Sequence, residues 1–144
     1  MSRAGDAIVL FQQGCSCSQA VLAVFAEELG LSRELACKVS AGFGGGLGRL
    51  GDTCGAVSGA IIVLGLRHGS AAGGDRAAKE QTYARGRDFV GRFRARHGSS
   101  VCRELLGCDL STPAGFQHAK EQKLTATLCP EFVASAVELL EEQL

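Results

Sequence analysis

The sequence lacks any apolar run long enough to cross a membrane. Such a span needs about 18 consecutive apolar residues. The longest stretch, Ala56–Leu66, is broken by Ser58, Gly59 and Gly65. The first thirteen residues carry one arginine and a short apolar patch, without the apolar core and small-residue cleavage site of an export signal. A cytoplasmic protein with no membrane partner is therefore expected. Charge of one sign is also lacking, because 15 Lys and Arg balance 15 Asp and Glu. No overall field steers the chain toward nucleic acid or an acidic substrate. Period-two alternation, the signature of half-buried strands, is missing. Internal repeats are missing too, and nothing of low complexity appears beyond one glycine-rich loop.

What is present points to one all-α domain over residues 1–144. Of the residues, 46% are apolar and 21% charged, an ordinary globular composition. Helical spacing recurs along the chain. A first short helix is expected over 7–13. Val21, Leu22, Phe25 and Leu29 mark a second over 18–29, stopped by Gly30. Ser32 caps a third, to about Ala41. Residues 53–66 form a helix that is apolar on every side, so it belongs at the centre of the domain. Its Gly55 and Gly59 sit one turn apart and admit another backbone at close range.

Asp75 caps a long helix to about Arg96, with Tyr83, Phe89, Val90 and Phe93 as its apolar stripe. Ser99 or Ser100 caps a short helix ending at Gly107, and Thr112–Pro113 opens another, through about Lys123. Cys129–Pro130 opens the last, because proline is well tolerated at a first helical position. The expected architecture is a compact bundle of about six to eight helices packed around 53–66.

Residues 42–52 read GFGGGLGRLGD, six glycines in eleven residues. This resembles a phosphate loop only superficially, since it lacks GK[ST] and follows no strand. It reads instead as a sharp bend that delivers Cys54, with Arg49 and Asp52 placed to orient the site. Gly51, Asp52 and Gly55 flank Cys54 and are candidates for contact with a cofactor.

The seven cysteines carry the chemical interest. In a reducing compartment such residues are commonly metal-binding, catalytic or redox-sensing, and the odd count opposes a fully paired disulfide scaffold. Four occupy expected helix starts: Cys17, Cys54, Cys102 and Cys129. The first amides of a helix are unpaired and carry partial positive charge. A thiolate there gains hydrogen bonds and its pKa falls. Four such starts suggest one thiolate cluster. The plainer alternative is that each cysteine is a small buried hydrophobe. Cys37 fits that description, beside Leu35 and Val39. Cys15, two residues from Cys17, is an auxiliary ligand or a resolving thiol. Cys108, just after Gly107, is a further auxiliary candidate, expected near Cys102 and within disulfide reach of it only if the turn permits.

With these residues the chain resembles the C_GCAxxG_C_C family, small proteins described as redox-active and named for four cysteines. The matching segments are Cys17 in CSQAVL, Cys54 in GDTCGAVSGAIIVLGL, Cys102 in CRELLG and Cys129 in LCPEFVASAVELLEE. The resemblance implies electron transfer with a redox partner protein or oxidoreductase. Some relatives are joined to c-type cytochrome sequence; this chain has no CxxCH, so covalent haem is not expected.

Two redox mechanisms fit four thiolates. One is an iron–sulfur cluster on Cys17, Cys54, Cys102 and Cys129. The other is metal-free thiol–disulfide exchange, with Cys54 as the attacking thiol. A structural zinc site is the non-redox alternative, although the paired CxxC knuckles of such sites are absent. A binding-module reading comes from 75–97, where seven Arg and Lys face three acids. That face would suit an acidic partner or nucleic acid, unless the acidic C-terminal helix offsets it. His68, His97 and His118 are assigned no role.

Overall fold

The computed structural model describes residues 2–144. Among these residues the chain is all-helical, with eight α-helices and no strand. They are α1 (Arg3–Gln12), α2 (Cys17–Ala26), α3 (Arg33–Ser40), α4 (Gly55–His68), α5 (Arg76–His97), α6 (Cys102–Leu106), α7 (Pro113–Glu121) and α8 (Leu124–Gln143). The central pair is α2 and α4. Helix α2 also packs on α1, α3 and α8, while α5 lies against α4 and α8. Phe25, Leu22, Leu64, Phe89, Phe93 and Leu140 are fully buried among them.

Most helix ends follow side-chain chemistry. Ser32, Asp75 and Thr112 accept hydrogen bonds from the first-turn amides of α3, α5 and α7. Gly30, Gly98 and Gly107 take the left-handed conformation that ends a helix at little steric cost. The first helix starts four residues earlier than its apolar pattern indicates, because Ser2 caps it.

Three expectations need correction. The last helix starts at Leu124, after left-handed Lys123, so Pro130 lies inside it and Cys129 is not at its cap. A proline there leaves only the Ala126 carbonyl without its i+4 amide, and Ala126 belongs to an exposed first turn. Secondly, neither Ser99 nor Ser100 caps α6; Val101 occupies the cap position. Ser100 instead accepts from Arg94 Nε at 3.0 Å. Thirdly, Tyr83 is 56% exposed and lies outside the buried stripe of α5.

The close approach expected of Gly55 and Gly59 is present. Their Cα atoms face the start of α2. A Cβ on Gly59 would lie 2.7 Å from the Ser18 carbonyl oxygen, and one on Gly55 would lie 3.3 Å from Cys17 Cβ. This contact fixes the end of α4 that carries Cys54 against the end of α2 that carries Cys17.

The glycine loop achieves its bend through a left-handed run: Gly45, Gly46, Leu47, Gly48 and Arg49 all have positive φ. Amides of Gly51 and Asp52 then reach back to the carbonyls of Gly45 and Gly46, at 3.1 and 2.9 Å. Left-handed backbone costs a non-glycine residue about 1–2 kcal/mol, so Leu47 and Arg49 are held there by their surroundings.

The basic helix α5 is partly neutralised within the chain. Arg96 pairs with Glu138 at 3.2 Å and Arg92 with Glu142 at 3.4 Å, both acids on α8. These exposed pairs contribute at most about 1 kcal/mol each. They draw α5 charge toward the C-terminal helix and weaken the docking-face reading.

Candidate four-cysteine site

The loop after the glycine run forms a short paired segment with the loop before α6. Thr53 and Val101 make an antiparallel bridge. The Cys54 amide donates to the Ser100 carbonyl at 2.8 Å, and the Cys102 amide donates to the Asp52 carbonyl at 2.6 Å. Arg103 closes the outer edge, its Nη1 donating to Asp52 Oδ1 at 3.1 Å and to the Gly51 carbonyl at 3.2 Å. Cys54 and Cys102, 48 positions apart, are thus bonded into one ladder. Gly46 underlies it: a Cβ there would lie 2.6 Å from the Asp52 amide nitrogen and 2.8 Å from Cys102 Cβ.

Cys17 is the first residue of α2, behind a capping box in which Ser16 Oγ accepts from the Gln19 amide and Gln19 Oε1 accepts from the Ser16 amide. Cys54 is the cap residue of α4 and Cys102 the first residue of α6. Cys129 enters from within α8.

All four line one cavity of about 300 Å³, and each is 8% exposed or less. Phe11, Leu105, Leu106, Leu110, Phe116 and Phe132 supply apolar wall. Arg49 and Lys120 are its cationic members, and Arg49 is positioned by stacking over the Phe116 ring at 4.9 Å.

Of the other candidates, Gly55 lines the cavity. Gly51 and Asp52 lie behind it, engaged by Arg103 and by the Cys102 and Arg103 amides. Cys108 is half-buried, outside the lining but near enough to raise the Cys102 pKa. Cys15 is half-buried and does not line the cavity; burial and the neighbouring Cys37 raise its pKa. Ser16 and the wall residues of α7 and α8 were missed in sequence. The S-x-x-Q capping signature marked Ser16, whereas nothing local marks Phe116, Lys120 or Thr125.

Helix starts do not lower the thiol pKa values here. Cys17 is pushed well up, first by its hydrogen bond with Cys129, then by burial and the other three cavity cysteines. Burial raises Cys54 to about 11, with Cys129 adding to it. The Ala56 and Val57 amides act against that rise without closing a capping hydrogen bond of ordinary geometry. Burial and then Cys54, Cys129, Cys108 and Asp109 push Cys102 up to about 12. Only Cys129 is lowered, by the hydrogen bond from Cys17 and against its own burial. A helix terminus contributes about 0.3–1 kcal/mol at exposed sites, whereas burial shifts a pKa by several units. Desolvation and crowding therefore prevail.

The thiols of metal-free protein should alkylate accordingly. At pH 8 each unit of upward shift removes about nine-tenths of the thiolate, so Cys54 and Cys102 should react more slowly than unshifted thiols. Cys129 should be the first cavity thiol labelled. Timed iodoacetamide quenching with peptide mass analysis reads each rate. Equal rates at all four would contradict this electrostatic picture.

The fold and the pocket define a class: an all-helical protein whose four buried cysteines, drawn from four separate helices, surround one cavity. The chain belongs to the C_GCAxxG_C_C family, described as "Putative redox-active protein (C_GCAxxG_C_C)", which it matches over residues 15–143. No curated protein and no solved structure matches it significantly.

Proposed function

We propose that this chain is an electron-transfer protein in which Cys17, Cys54, Cys102 and Cys129 hold an iron–sulfur cluster. The observation that carries the reading is the convergence of these four cysteines on one cavity of about 300 Å³.

The donor chemistry fits. The four candidate ligands are soft thiolates, which favour iron–sulfur clusters, zinc and copper(I). Three of the four resist deprotonation when left to each other; the positive charge of iron would reverse that preference. The amides of Ala56 and Val57 are placed to hydrogen-bond the Cys54 sulfur more strongly once it is a thiolate, a contact that tunes potential. When bound, such a cluster supplies one-electron transfer. The chain's own part is to hold the sulfurs, exclude water with Phe11, Phe116 and Phe132, and present Arg49 and Lys120 as cations of the lining.

A single zinc ion fits less well. Among the described residues no three His, Cys, Asp or Glu side chains stand close enough together to hold one ion. A cluster distributes its ligands over several metal atoms and takes wider spacing.

A second reading is favoured by the shared place of Cys17 and Cys129 on the cavity wall and by the lowered Cys129 pKa, which Cys17 causes. Cys129 thiolate would attack an incoming disulfide and release one thiol. Cys17 would then displace the second thiol, leaving a Cys17–Cys129 disulfide. Here the attacking thiol is Cys129 rather than Cys54.

Anaerobic purification with iron, acid-labile sulfide and zinc analysis separates these readings. The proposal expects iron and sulfide in comparable amounts, with visible absorption that bleaches on reduction. Colourless, metal-free protein in which Cys17 and Cys129 pair on oxidation would replace it with the dithiol reading. Zinc without sulfide would overturn both.

A further inference from the structure

Outside the cavity stands a second pair of thiols. Cys15 and Cys37, 22 positions apart, are neighbours: the Gln19 side chain accepts from the Ser16 amide through Oε1 at 2.9 Å and donates to the Cys37 carbonyl through Nε2 at 3.0 Å. Both are half-buried and therefore reachable from solvent, and neither lines the four-cysteine cavity. Their backbones are held on both sides. The Cys15 amide donates to the Leu10 carbonyl at 3.1 Å. Gln19 Nε2 donates to the Cys37 carbonyl at 3.0 Å, and Ser18 Oγ donates to the Ser40 carbonyl at 2.8 Å. These bonds fix α3 against the start of α2, so the two cysteine-bearing segments are held beside each other by the fold. Disulfide formation requires Cα atoms within about 7 Å, and a single glutamine side chain spans from the residue after Cys15 to the Cys37 carbonyl. Arg33, one helical turn before Cys37, places a cation beside Cys15, which favours approach of an anionic reagent.

We infer that Cys15 and Cys37 form a second redox site, which closes to a disulfide by exchange with a low-molecular-weight disulfide. One of the two thiolates attacks that disulfide, forming a mixed disulfide and releasing one thiol. The other then attacks the protein sulfur of the mixed disulfide and releases the second thiol. The protein gives up two electrons and two protons, and the reagent becomes two thiols. The new bond ties α3 to the loop that carries Ser16, the residue that caps α2 and lines the cavity beside Cys17.

The test uses full-length, reduced protein equilibrated with increasing ratios of oxidised to reduced glutathione. Free thiols are then blocked and the chain is mapped by mass. One intramolecular disulfide is expected first, joining the Cys15 and Cys37 segments, and Cys129→Ser should retain it. Cys15→Ser and Cys37→Ser should each lose it and carry a glutathione adduct on the remaining partner. Far-UV circular dichroism establishes that the variants keep their helices, and the mapping of the parent chain stands without them. A first disulfide joining Cys17 to Cys129 would overturn the inference. So would separate glutathione adducts on Cys15 and Cys37 of the parent, or a first disulfide that joins either cysteine to a different partner.

Discussion

Gly59→Ala is expected to lower the melting temperature by about 5–10 °C, although it adds one methyl group. The new Cβ would lie 2.7 Å from the Ser18 carbonyl oxygen and 3.1 Å from Ser18 Cα. Both are backbone atoms, so no rotamer change relieves the contact and α2 must move off α4. Overpacking of this kind costs about 1–3 kcal/mol, and about 2–4 °C accompanies each kcal/mol in a domain of this size. Gly65 is the internal control. It lies in the same helix, and a Cβ there meets nothing within 4 Å. Gly65→Ala should gain about 0.5–1 kcal/mol from helix propensity alone. Thermal unfolding of the two variants checks the pair. Equal effects would mean that the α2–α4 crossing is looser than described.

Gly46→Ala should damage the site more than the fold. Alanine must adopt φ 72°, at about 1–2 kcal/mol, and its Cβ enters the space of the Asp52 amide and Cys102 Cβ. The adjoining ladder, Cys54 to Ser100 and Cys102 to Asp52, holds two of the four cavity cysteines in register. Pushing it apart should release Cys102 from burial. In metal-free protein, its alkylation rate at pH 8 should rise at least about tenfold, since one pKa unit is a tenfold change in thiolate. In the reconstituted protein, bound iron should fall while the helical circular dichroism persists. Unchanged Cys102 reactivity would show that the ladder does not set its environment.

Local chemistry makes much of this fold legible in the sequence. Ser32, Asp75 and Thr112–Pro113 begin helices, Gly30, Gly98 and Gly107 end them, and Gly55 and Gly59 mark a close helix crossing. Each of these signals acts within a few residues. The errors arose where two local rules competed or where distance in sequence hid a contact. Pro130 suits a first helical turn, but Lys123 turns left-handed and α8 starts at Leu124, five residues before Cys129. Of the thiols at helix starts only Cys54 meets amides, those of Ala56 and Val57, and burial outweighs them; Cys17 and Cys102 are raised by burial and by the other cysteines. Nothing near Thr53 indicates that it pairs with Val101. Cys37 reads as packing within its own helix, and only the fold brings it to Cys15.

The central claim is that four of the seven cysteines make one site. Seven single Cys→Ser variants, reconstituted anaerobically with iron and sulfide and assayed for iron per chain, test it directly. Cys17→Ser, Cys54→Ser, Cys102→Ser and Cys129→Ser should each lose most of the bound iron, because the four sulfurs act as one ligand set. Cys15→Ser, Cys37→Ser and Cys108→Ser should retain the parent's content. Iron held equally by all seven variants would contradict the account, as would its loss from Cys15→Ser or Cys37→Ser with retention in Cys54→Ser.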